Sequence, residues 1–170
     1  MNGGLLLLRL VVGLLFAAHG AQKAFGWFGG PGMNGATGFV ASLGFRGPGA
    51  WTWMLMLAEL VGGLMLAAGL LTPLAALVIV TDMIVAIVLV KRTGGFFNGN
   101  GGFEFELVLL TVPVALVAIG PGRYSLDRAL GIGDEITGIS WAAAVLGAAV
   151  VAAFITMTVG RGREAADAPA

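Results

Sequence analysis

The sequence predicts an all-α membrane protein, a polytopic bundle of five transmembrane helices. Two observations carry that expectation. Only 11% of the 170 residues are charged and 58% are hydrophobic, whereas soluble domains carry about a quarter charged residues. The apolar residues also gather into five stretches, each near the ~20 residues a helix needs to cross ~30 Å of hydrocarbon. In lipid the backbone can satisfy its polar groups only internally, so each stretch is expected to be helical.

The first span, Leu5 to Ala24, is interrupted by Arg9 and ends through His19 and Lys23. Its charge lies inside the apolar run rather than ahead of it, so it reads as a retained helix and not a cleaved signal peptide. Residues 26–49 follow as a glycine-rich loop whose apolar stretch, TGFVASLGF, is too short to span. That stretch is expected to lie at the interface or to re-enter, with Trp27, Phe28, Trp51 and Trp53 at headgroup level. The second and third spans, Trp51 to Leu71 and Pro73 to Val90, nearly touch at GLLTPLAA. Gly69 suits a helix end, Thr72 a cap and Pro73 a first turn, which predicts a tight antiparallel hairpin. The fourth span, Phe103 to Ile119, contains Pro113 and is expected to kink there. The fifth, Ile136 to Val159, carries no charge.

Composition also excludes classes of function. Nine basic and nine acidic residues balance, which leaves no case for a nucleic-acid partner. The absence of cysteine rules out disulfides, thiolate metal sites and a thiol relay on this chain. A single histidine, His19, cannot build a bis-histidine haem or a zinc site, and no metal is expected. Five spans place the amino terminus with Arg123 and Arg128 on one side. Lys23, Arg46, Lys91, Arg92, Arg161 and Arg163 fall on the other, so the carboxyl terminus is expected in the cytoplasm.

The informative residues are ionisable groups inside spans, where a charge costs about 2.5–3.5 kcal/mol at the bilayer centre. Depth along the helices pairs Arg9 with Asp82. It groups His19, Lys23 and Glu59 with one of the two fourth-span glutamates. Glu104 and Glu106 lie ~200° apart on a helix, so only one of them faces inward. Glu59 shares a ridge with Gly62, Gly63 and Ala67, and Asp82 a face with Ala75 and Ala86; small residues of this kind mark close helix contacts, so both acids point into the bundle. Such pairs can simply fix helix register. They also suit proton-coupled chemistry, to which His19 brings the side-chain type whose unperturbed pKa lies nearest neutrality. Hydrogen-bond donors and carboxylates beside Phe25, Trp27 and Phe28 match the needs of a quinone head group.

The segments RLVVGLLFAAHGAQKAFGWFGGPG, AELVGGLMLAAGLLTPLAA, GGFFNGNGGFEFE and GPGRYSLDRAL occur in this order. In order and spacing they resemble the DoxX family of bacterial membrane proteins from about Arg9 to Leu130. The resemblance implies a four-helix DoxX-like membrane bundle over residues 1–132, with the interfacial loop at 26–49. It leaves 133–160 as an additional, fifth transmembrane helix and 161–170 as a polar tail. The shared polar and small positions it implies are Arg9, Gly20, Lys23, Glu59, Gly62, Gly63, Glu104, Pro121, Ser125 and Asp127. Ser125 or Asp127 is expected to cap a short helix after Gly-Pro-Gly. It further implies a bacterial inner-membrane subunit of a redox assembly, with other membrane or redox proteins as partners. No cofactor is expected in the chain itself beyond a quinone taken by the polar cluster. A non-catalytic assembly subunit is the alternative.

Overall fold

The computed structural model describes residues 2–161, in which every regular element is helical. The tail expected at 161–170, with Arg163, lies outside the described residues except for Arg161. In chain order the elements are α1 (Asn2–Phe25), α2 (Gly32–Ser42), α3 (Pro48–Ala68) and α4 (Thr72–Ala86). They continue with α5 (Glu104–Ile119), α6 (Leu126–Ala129) and α7 (Ile139–Gly160). A widened π turn, Ile87–Lys91, prolongs α4. Among the described residues four helices are long and apolar enough to cross a membrane: α1, α3, α4 extended to Gly94, and α7. Helix α5 has 16 residues, about 24 Å, and links the same two faces of the bundle.

Those faces are set by contacts at the helix ends. The amino-terminal face holds Asn2, whose side chain accepts from the Arg123 amide at 3.0 Å. It also holds the α3–α4 turn, where Gly69 O accepts from the Asp127 amide at 2.8 Å. The distal face holds α2 and the end of α7, joined by the Arg46 amide donating to Gly160 O at 2.8 Å. The short apolar stretch of the first loop is thus α2, a non-spanning helix lying against α1 and α3.

Glycine determines how closely α1 and α3 approach. A Cβ on Gly20 would lie 2.4 Å from the Leu60 amide nitrogen, and one on Gly63 2.5 Å from that of Ala17. Only backbone-to-backbone packing fits there, as small-residue membrane interfaces require. On the neighbouring side of α3, Val78 of α4 fills the space a Gly62 side chain would take. The larger core joins Val12, Phe16, Leu66, Ile79, Met83 and Leu109 from α1, α3, α4 and α5. A smaller one, Ala76, Val117, Ala142 and Val145, seats α7 on α4 and α5. The outer face of α7, with Val150, Val151, Phe154 and Ile155, is exposed and apolar, as a lipid-facing helix is.

The hairpin has the expected helix end and a different cap. Gly69 takes φ 64° while the Leu70 amide donates to Met65 O at 2.9 Å, a Schellman termination. Pro73 occupies the first turn of α4. Thr72 does not act as the cap, because its hydroxyl donates instead to the Asp127 carboxylate at 2.6 Å. Helix α5 runs unbroken through the buried Pro113.

Candidate functional site

Two polar regions interrupt this apolar bundle. The first lies near the middle of α3 and α4. Lys23 Nζ, from the end of α1, donates to Glu59 Oε2 at 2.5 Å. The stagger of α1 against α3 makes this possible: Gly20 packs at Leu60, so the next turn of α1 passes Glu59. The Asp82 carboxyl on α4 neighbours the Glu59 carboxyl, and both feel Lys23. His19, half-buried one turn before Lys23 on the same face of α1, acts electrostatically on Glu59. Glu59 is buried, while Lys23 and Asp82 are half-buried.

This arrangement has a definite chemistry. A carboxylate oxygen only accepts hydrogen bonds, so two facing carboxyls bond to each other only when one carries a proton. One ammonium with two carboxyls and that proton is electrically neutral, which an apolar bundle favours. The cluster is therefore a set of donors and acceptors able to hold and pass a proton.

The expected Arg9–Asp82 pair is not formed. With Gly13 packed at Ala67, α1 projects past the end of α3, and Arg9 lies at the level of the hairpin turn. Asp82 is ten residues along α4 from Thr72, about 15 Å away and beyond the reach of the guanidinium. Arg9 instead donates to Pro121 O at 2.7 Å and Tyr124 O at 2.5 Å. It is 1% exposed.

That contact belongs to the second polar region, at the amino-terminal face. Asp127 is fully buried and accepts from the Leu71 amide at 2.6 Å, the Thr72 amide at 2.9 Å and the Thr72 hydroxyl. It caps α4 from another element, satisfying amides that a helix start leaves orphaned. It also steadies Leu71, a non-glycine residue at φ 45°. Ser125 caps α6, its hydroxyl accepting from the Arg128 amide at 3.2 Å. Sequence reasoning weighed Asp127 only as a cap for its own helix; nothing local marks a cap supplied across 55 residues.

The fourth-span glutamates separate as their spacing predicts. Glu106 is buried and pairs with Lys91 Nζ at 3.4 Å. Glu104 is turned aside, accepting from the Asn98 amide at 2.8 Å. Neither makes a direct contact to Lys23 or Glu59. Trp27 and Phe28 are exposed just beyond the distal end of α1. The groove between α4 and α7, lined by Leu74, Leu77, Val145 and Ala148, is apolar.

Comparison with known proteins adds the following. The sequence model of the DoxX family matches residues 4–92. The chain is 33% identical over 113 residues to "Putative oxidoreductase CatD" of Bacillus subtilis, across 66% of this chain and 78% of that protein. It is 35% identical over 134 residues to "Uncharacterized membrane protein Rv3486" of Mycobacterium tuberculosis, across 72% of this chain and 78% of that protein. No solved structure matches. The family match takes in Arg9, His19, Lys23, Glu59, Asp82 and Lys91, and ends before Glu104, Glu106 and Asp127.

Proposed function

We propose, for a chain that belongs to the DoxX family of membrane proteins, that it is the membrane subunit of a redox assembly and takes a quinone head group at Lys23, Glu59 and Asp82. One observation carries the reading. Three helices bring an ammonium and two neighbouring carboxyls together near the middle of a largely apolar bundle, where ionisable residues mark ligand or proton sites. The oxidoreductase name of the Bacillus relative supports it.

The donor set fits such a group. Lys23 and His19 offer hydrogen bonds to carbonyl oxygens, and the Glu59–Asp82 pair holds a proton beside them. When bound, the quinone supplies the two-electron, two-proton chemistry. This chain has no cysteine and so offers no thiol relay of its own; on this reading the electrons come from a redox partner protein. Its own residues orient the head group and exchange protons at the carboxyl oxygens. The surplus of basic residues on the distal face, Arg46, Lys91, Arg92 and Arg161 against Arg123 and Arg128, favours that face in the cytoplasm of a bacterial inner membrane. A reporter fused to the carboxyl terminus and active only outside the cytoplasm would reverse this orientation.

Organic extraction of detergent-purified protein tests the reading. Quinone is expected in the wild-type extract and absent from Lys23→Met and Glu59→Gln. Wild-type protein that neither retains nor binds quinone would overturn it. A second reading, a non-catalytic assembly subunit, draws on the exposed apolar face of α7, which lies beyond the family match. A partner complex that keeps full activity with His19 and Glu59 both replaced would favour it.

A further inference from the structure

We infer that Glu106 is a proton carrier linking the distal aqueous face to the Glu59–Asp82 pair. The inference builds on the role proposed above for that pair and gives its protons a route and a side of origin.

Glu106 is 8% exposed, and its Oε2 atom has no hydrogen-bond partner. A buried carboxylate oxygen left unpaired has given up its hydration with nothing in return. Its other oxygen meets Lys91 Nζ at 3.4 Å, longer than a charge-assisted hydrogen bond of about 2.7–2.9 Å. The pair is therefore loosely held, with one oxygen open to a proton. Lys91 has a side chain 31% exposed and closes the π turn Ile87–Lys91, a helix irregularity that recurs at functional sites. It brings Glu106 to the edge of the distal aqueous phase.

Depth supplies the inner half of the route. Met83 of α4 and Leu109 of α5 belong to one packed cluster. Glu106 precedes Leu109 by one helical turn and Asp82 adjoins Met83, so Glu106 lies on the distal side of that core, on the helix packed beside the one that carries Asp82. The charged groups around this line are Lys91 and Asp82 from α4, Glu59 from α3, and His19 and Lys23 from α1. Glu104 on α5 is occupied by the Asn98 amide, and α7 contributes no ionisable side chain. The step itself is simple: a proton from water neutralises the Glu106 carboxylate, then passes to the carboxylate of the Glu59–Asp82 pair.

Infrared spectroscopy of the intact chain in proteoliposomes transferred to D2O tests this. The carbonyl band of a protonated carboxylic acid, assigned by its loss in Asp82→Asn, shifts as deuterium arrives. In Glu106→Gln the shift is expected to slow by about a hundredfold, the lower end of what a positioned proton-transfer group contributes. Glu106→Asp, which keeps a carboxyl, should recover much of the rate. Wild-type exchange in Glu106→Gln overturns the inference, as does a wild-type protein with no acid band sensitive to Asp82→Asn. Quinone content separates the two claims. Quinone retained by Glu106→Gln with wild-type exchange removes the route alone, whereas slowed exchange in a protein that binds no quinone removes the proposed function alone.

Discussion

The two polar regions of this bundle are built from the same kinds of residue and are satisfied very differently. At the amino-terminal face the polar side chains bond to backbone. Asp127 accepts from two amides and a hydroxyl, and Arg9 donates to two carbonyls. In mid-bundle the polar side chains face one another: Lys23 bonds to Glu59, with Asp82 beside them. A carboxylate that pins backbone amides is spent on the fold, since moving it would expose orphaned donors. Side chains that hold only each other can rearrange around a ligand or a proton without unravelling a helix. The difference in partners, more than burial, separates the charge spent on the fold from the charge proposed to act.

Asp127→Ala is the most damaging way to break that contrast. It strands the Leu71 and Thr72 amides and the Thr72 hydroxyl, and about 3 kcal/mol or more of stability should be lost. Thermal unfolding in detergent, followed by tryptophan fluorescence, reads this. The glycine seam between the regions comes next. Gly63→Leu must push α1 from α3 and should cost about 1–3 kcal/mol, and it should also separate Lys23 from Glu59, so quinone retention falls with it. Glu59→Gln sharpens the contrast from the other side. It keeps shape and a hydrogen-bond acceptor for Lys23, so stability should change by about 1 kcal/mol or less while quinone retention is lost. Arg128→Ala should have the smallest effect. Its ion pair with Asp134 is on the surface, where such pairs contribute about 0–1 kcal/mol, and both stability and quinone retention should stay near wild type.

Much of the architecture was legible in the sequence because a membrane imposes strong rules. Apolar length located all five long helices, and the Gly69–Pro73 grammar located the hairpin. The ridge of Gly62, Gly63 and Ala67 beside Glu59 pointed that acid inward, and it packs there. The Lys23–Glu59 contact followed from shared depth. What failed was stagger. Depth counted from span ends assumes that helices begin at one level, but Gly13 packs at Ala67, so α1 overhangs α3 by about three turns. Arg9 therefore meets residues 121–124 rather than Asp82. The cross-element cap by Asp127 and the Lys91–Glu106 pair were unreadable for a related reason. Both depend on how loops return chain ends to the bundle, and no periodicity encodes that.

The account rests on one region being structural and the other ligand-binding. The most direct measurement is the rise in thermal midpoint caused by a short-tailed quinone, since a ligand that binds only the folded state stabilises it. Wild-type protein should show the rise. Asp127→Asn should start from a lower midpoint and still show it, whereas Glu59→Gln should start near the wild-type midpoint and lose it. No rise in the wild type, or an undiminished rise in Glu59→Gln, would contradict the account.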